Sequence, residues 1–212
     1  MKSFIFDKDF ISGARDNYEL VPERRLSDLK DYFFDKEVVE RMLSNNENPV
    51  IYRAYMAPRL TDPLIFERCK PSETSSSEPQ FTFGVNIVQP GRIGREYYHT
   101  RGHFHALDPV EIYFGKGNGI FLIQTKDGEV AHLPVRSDRW VALRYDSKKW
   151  AHQCINTGAQ EMINIFLMVS LPCDKECYLI NEYEWIEKHG WKKLVVEENG
   201  RPTIIDNPDF RP

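Results

Sequence analysis

The residues best suited to chemistry in this chain lie close together. Of its six histidines, five fall between His99 and His152. His103-Phe104-His105 puts two imidazoles at i and i+2, and in an extended strand such positions share a face. Glu111 follows across the turn Leu107-Asp108-Pro109, at the start of another apolar run, and Tyr113 has its parity. His152, in Trp150-Ala151-His152, sits on a later run that an antiparallel barrel can bring back to the first pair. Three neutral imidazoles and one carboxylate suit a borderline divalent cation such as Fe²⁺, Mn²⁺, Ni²⁺ or Zn²⁺. Such a set leaves one or two coordination positions for water or substrate. A lone HxH is usually structural; Gly102, the carboxylate, the Gly117/Gly119 hairpin and the later histidine together favour a metal site. The cysteines Cys69, Cys154, Cys173 and Cys177 form no CxxC and are expected to be reduced thiols. Cys154 shares the parity of His152 and Asn156 and is read as a small buried apolar residue.

These residues need strands to hold them, and the sequence supplies them from Val50 onwards. Val50–Tyr55 reads as the first strand. After the proline- and serine-rich segment 56–80, expected to be a loop or flap, come Phe81–Val88, Tyr97–His105, Val110–Phe114, Ile120–Thr125, Val130–Val135, Trp140–Tyr145, Trp150–Asn156 and Met162–Leu171. Glycine, aspartate and asparagine turns separate them, the pattern of an antiparallel sandwich or barrel. Before them, Leu26, Leu29, Tyr32 and Phe33, then Val38, Val39, Met42 and Leu43, recur at helical spacing, so residues 1–49 are expected to be a helical extension. After them, Asn181–His189 is expected to be a short helix closed by Gly190. Leu194–Val196 and Thr203–Ile205 then form a hairpin around Asn199-Gly200. One domain, 1–212, with its barrel over 50–180 and its helix and hairpin over 181–212, is the expected organisation.

Composition excludes several classes. With 28 Lys+Arg against 32 Asp+Glu the net charge is −4, and hydrophobic residues make up 41% of the chain. Such a chain folds, and has no bulk charge to coat nucleic acid or a membrane. Apolar runs are strand-sized, and the amino terminus reaches Asp7 too soon for a secretion signal, so a cytoplasmic chain is expected. No glycine-rich phosphate loop is present.

The string Thr100-Arg101-Gly102-His103-Phe104-His105, with Glu111-Ile112-Tyr113 and Trp150-Ala151-His152, resembles the cupin-type phosphoglucose isomerases. Arg24-Arg25-Leu26-Ser27-Asp28, Pro90-Gly91-Arg92-Ile93-Gly94-Arg95-Glu96, Val195-Val196-Glu197-Glu198-Asn199-Gly200 and Ile205-Asp206-Asn207-Pro208 extend the likeness over most of the chain except 56–80. The resemblance implies an all-β cupin, a jelly-roll (double-stranded β-helix) barrel that pairs into a homodimer. It implies a metal-dependent interconversion of glucose 6-phosphate and fructose 6-phosphate, with no nucleic acid or membrane partner. His103, His105, Glu111 and His152 would hold one metal ion per subunit, Fe²⁺ ahead of Mn²⁺, Ni²⁺ or Zn²⁺, with Glu111, His152 and Tyr113 catalytic. Glu111 would carry the proton between the reacting carbons, a hydride shift being the alternative, and Tyr113 would contact sugar hydroxyls. Thr100 and Gly102 would hold phosphate, as would Tyr178, with Tyr183 the alternative. Asn86 stands where the family has a phosphate-binding threonine. Another phosphosugar such as mannose 6-phosphate, an Fe-dependent oxygenase, or a sugar-binding module are the competing readings. In an unbroken strand Thr100 and Gly102 would face away from the histidines, so a bulge is expected near Gly102. Arg92, Arg95 and Arg101 are read as solvated turn residues, with phosphate attraction as the competing role.

Overall fold

The computed structural model describes residues 19–56, 80–105, 110–170 and 181–211. Two antiparallel sheets enclose an interior. The larger has the strand order β1-β2-β3-β12-β7-β10 and the smaller the order β11-β8-β9. In the larger sheet these are β1 (Glu19–Arg25), β2 (Val50–Met56), β3 (Gln80–Val88), β12 (Met162–Ser170), β7 (Val110–Lys116) and β10 (Val141–Tyr145). In the smaller sheet they are β11 (Trp150–Asn156), β8 (Gly119–Thr125) and β9 (Val130–Val135). Neighbours in the sheet come from distant parts of the chain, as in the jelly-roll barrel of a cupin.

Alternation decides what faces inward. On β7, Glu111, Tyr113 and Gly115 are buried while Ile112 and Phe114 are only partly so. Tyr113, Phe121, Tyr145, Cys154, Met162 and Phe166 belong to one interior cluster. Strands β8 and β11 are buried on both faces, because the outer side of Leu122, Ala151 and Ile155 packs under Trp191, Leu194, Val195 and Val196. That cover comes from the hairpin β14 (Lys193–Glu198) and β15 (Arg201–Asp206), whose turn residues Asn199 and Gly200 both have positive φ, the geometry an Asn-Gly hairpin turn requires.

The amino-terminal extension departs from the helical expectation. Residues 19–25 form strand β1, paired with β2 at the sheet edge with register shifts. Pro22 lacks a ladder donor and so suits an edge. Leu26–Asp28 is a single 3-10 turn, closed where the Asp28 carboxylate accepts from the Arg25 backbone N–H at 2.8 Å. Among the described residues of this extension, only α1 (Lys36–Ser44), capped by Asp35, is α-helical. Leu26, Leu29 and Phe33 are nevertheless fully buried, so their spacing reported burial rather than a continuous helix. Likewise Asn181–Glu182 form a short strand, β13, and the helix α2 spans only Glu184–His189. Segment 57–79 and Cys69, Cys173 and Cys177 lie outside the described residues.

Candidate active site

The strand expected over Tyr97–His105 is broken into β5 (Glu96–Tyr97), single bridges at His99 and His103, and β6 (Phe104–His105). Gly102 adopts φ +77° at the break. A Cβ there would stand 2.5 Å from the Trp191 ring and 2.8 Å from the His152 carbonyl, so glycine is required by both backbone and space. The break turns Thr100 inward. Its hydroxyl oxygen accepts from the Cys154 backbone N–H at 3.0 Å, standing in for a ladder carbonyl.

Beyond the break, His103 bridges to His152 on β11, and β6 pairs with β13. The three imidazoles of His103, His105 and His152 meet there, their ligand nitrogens all within 4.8 Å of one another. Glu111, at the start of β7, brings Oε2 to 3.2 Å from His105 Nε2 and 3.6 Å from His152 Nδ1. Tyr113 stacks edge-on against His152 with ring centroids 5.0 Å apart. The histidine and glutamate positions, read from spacing, therefore converge.

Two features test whether these residues fit a metal ion. His103 Nε2 and His152 Nδ1 are buried and have no hydrogen-bond partner, a costly state unless something binds them. The site also keeps the imidazoles of His103 and His152 neutral. Burial, followed by the like charges of His152, His105 and Arg101, holds His103 far below the usual histidine range. Burial lowers His152 to about 4, against the pull of Glu111. Burial pushes the Glu111 carboxyl up, but His152, His105 and hydrogen bonds from His105 and Tyr145 outweigh it, so it lies below its ordinary value. Neutral imidazoles beside an ionised carboxylate are the protonation states that a divalent metal needs. The donor set fits.

Tyr145, which the sequence reading passed over, is part of this site. It lies opposite Glu111 in the β10–β7 register. Its hydroxyl donates to Glu111 Oε2 and is also paired with that of Tyr113. Burial raises both phenols well above their ordinary range, so both stay protonated. Only the register identifies Tyr145, because nothing in its local sequence marks it. Asn164 was missed for the same reason: it pairs with Asn86 on the adjacent strand, is fully buried, and has neither amide atom hydrogen-bonded.

The remaining candidates are distributed unevenly. Asn86 lies on the inward face of β3 between Ala54 and Asn164. Tyr183 packs on His103 at 5.0 Å and carries the Arg101 guanidinium over its ring at 3.8 Å. Tyr178 lies outside the described residues. Arg92 and Arg95 are exposed and pair with Glu197 and Glu198, so they stay at the surface. His99 is buried away from the cluster, 3.4 Å from Glu96.

Known proteins point the same way. The family model described as glucose-6-phosphate isomerase (GPI) matches residues 23–208. The glucose-6-phosphate isomerase of Thermococcus kodakarensis is 36% identical over 190 residues, covering 89% of this chain and 86% of that protein. The enzyme of the same name from Pyrococcus horikoshii is 35% identical over 208 residues, covering 97% and 94%. That from Thermococcus litoralis is 34% identical over 205 residues, covering 96% and 94%. With matches of this extent, and a cupin barrel presenting the histidine cluster, the chain belongs to the glucose-6-phosphate isomerase family.

Proposed function

We propose that the chain is a metal-dependent isomerase that interconverts glucose 6-phosphate and fructose 6-phosphate, with Glu111 as metal ligand and proton carrier. The observation that carries this reading is the convergence of His103, His105 and His152, with buried unpartnered nitrogens on His103 and His152, beside an ionised carboxylate. These four residues would hold a divalent ion; the donor set accepts Fe²⁺, Mn²⁺, Ni²⁺ or Zn²⁺, and Fe²⁺ is placed first on the family resemblance. Once bound, a divalent ion would polarise the sugar carbonyl and stabilise negative charge on the neighbouring oxygens.

The protein's own residues supply the rest. Aldose-to-ketose conversion removes a proton from C2 and returns one to C1, while the hydroxyl proton passes from O2 to O1. Glu111 is ionised and beside the cluster, so it can accept the C2 proton and deliver it to C1. The contacts from His105, His152 and Tyr145 all fall on its Oε2. That leaves Oε1 as the proton-carrying oxygen. Tyr145 keeps the carboxylate in one orientation, and Tyr113, beside His152, would face sugar hydroxyls. Asn86, Thr100 and Gly102 would receive the phosphate. The same reading makes the chain a one-domain subunit of a cytoplasmic homodimer, which rests on the family likeness alone.

The test is fructose 6-phosphate turnover before and after chelation, with single metals restored, beside Glu111→Gln. Activity that disappears with the metal and returns with it supports the reading. No turnover with any metal on a fully loaded protein would defeat it. A Glu111→Gln variant with full rate and full metal content would remove only the proton-carrier role.

A further inference from the structure

A sugar phosphate brings a doubly charged group, yet Asn86, Thr100 and Gly102 offer only neutral donors. Most arginines near the site are already neutralised. Arg92 pairs with Glu197, Arg95 with Glu198, and Arg101 with Glu187 while it stacks on Tyr183. Arg24 differs. It lies opposite Tyr52 in the β1–β2 register, on the same face. Tyr52 is a buried member of the interior cluster. The neighbouring carboxylate, Glu23, is taken by Arg25 and Arg53 at 2.5 and 2.8 Å. Among the described residues no carboxylate pairs with Arg24.

The surroundings of Arg24 connect it to the candidate site. Its guanidinium lies close enough to the Tyr52 hydroxyl to pull down that phenol's pKa against the rise from burial, as does the backbone N–H of Arg101, the residue between Thr100 and Gly102. Tyr52 is close enough to Tyr113 to interact with it electrostatically. In the next interior row Ala54 pairs with Asn86, so Asn86 stands one row from the Arg24–Tyr52 pair on the same face of the sheet. The Arg24 Nε–H is buried and has no acceptor. An always-charged donor fork with a buried idle N–H, and with no counter-ion among the described residues, is arranged for an incoming anion, and its planar geometry matches phosphate oxygens.

We propose that Arg24, supported by Tyr52, anchors the phosphate of the substrate and supplies the positive charge that the other phosphate-facing residues lack. This assignment rests on the sugar-phosphate reading of the site. The experiment compares the metal-loaded wild type with Arg24→Met and Arg24→Lys. It measures KM and kcat for fructose 6-phosphate, competitive inhibition by inorganic phosphate, and direct binding of inorganic phosphate by calorimetry. Arg24→Met should raise KM and the phosphate inhibition constant in parallel, about 10- to 100-fold, as expected for loss of charge-assisted hydrogen bonds. The maximal rate should change far less, and metal content not at all. Arg24→Lys should recover part of the loss. Unchanged KM and unchanged phosphate inhibition in Arg24→Met would overturn the proposal, as would a loss confined to kcat. If Arg24→Met fails to fold, Arg24→Lys decides alone: a higher KM in a folded protein supports the anchor, and an unchanged one refutes it. Should the wild type isomerise no sugar phosphate, the reading of the site fails separately. Phosphate binding lost in the variant would then still support the anion site, and equal binding would exclude it.

Discussion

Acidifying the metal-free protein should unfold it earlier than its mildly acidic composition suggests. In the folded chain His152 titrates at about 4, since burial disfavours the imidazolium more than Glu111 favours it. In the unfolded chain a histidine titrates near 6.5. Between these values the unfolded state binds a proton that the folded state refuses, so stability is complete above pH 6.5 and falls as pH drops towards 4. The difference corresponds to about 3 kcal/mol at 1.36 kcal/mol per pH unit. His103, depressed further by its burial, acts in the same direction. Glu111 extends the loss: its folded pKa lies below the ordinary carboxylate value, so its contribution is present above that value and disappears as pH falls through the folded one. Against a typical total of about 5–15 kcal/mol this is a large share. Urea denaturation of chelated protein from pH 8 to 5 measures it, with His152→Gln as the control. The midpoint should drop below pH 6.5, and the drop should be shallower in the variant. Saturating divalent cation should raise the midpoint at pH 7 and lose that effect on acidification, because its ligands must be deprotonated. A flat profile in the metal-free wild type, or an unchanged slope in His152→Gln, would refute the reasoning.

Three other perturbations test neighbouring parts of the structure. Tyr145→Phe removes the donor to Glu111 Oε2 and should cost about 1–3 kcal/mol of stability and about a tenfold loss in kcat, with metal content by elemental analysis unchanged. Gly102→Ala places a methyl against the Trp191 ring and the His152 carbonyl at φ +77°, and denaturation should show a loss of about 2–4 kcal/mol together with weakened metal retention. Arg92→Ala and Arg95→Ala break exposed pairs with Glu197 and Glu198, so stability should change by less than about 1 kcal/mol and KM for fructose 6-phosphate should not move.

Much of the fold and the histidine pattern was legible because each depends on periodicity. Alternation of period two identifies a strand whatever it pairs with, so the strands from Val50 to Met162 emerged close to their observed bounds, except Tyr97–His105, which is broken into short pieces at Gly102. The positive φ at Gly102 was legible by contradiction, since Thr100 and His103 could not face one interior on a straight strand. Where the reading failed, the pattern had two explanations. Leu26, Leu29 and Phe33 are spaced like a helix, but a 3-10 turn followed by irregular chain buries the same three side chains. Strand β1 was hidden by Pro22, which is acceptable only because the strand occupies an edge.

The sequence by itself determined that His103 and His105 stand two residues apart, that Glu111 and Tyr113 share a parity, and that the chain is built from short antiparallel strands. Those are local properties set by backbone geometry. Tertiary structure alone decided which distant residues meet them. The β10–β7 register brings Tyr145 to Glu111, the bridge at His103 brings in His152, and the β1–β2 pairing places Arg24 beside Tyr52. Register depends on which strands pair and how far each slides, and a shift of one residue would turn every one of these side chains to the opposite face.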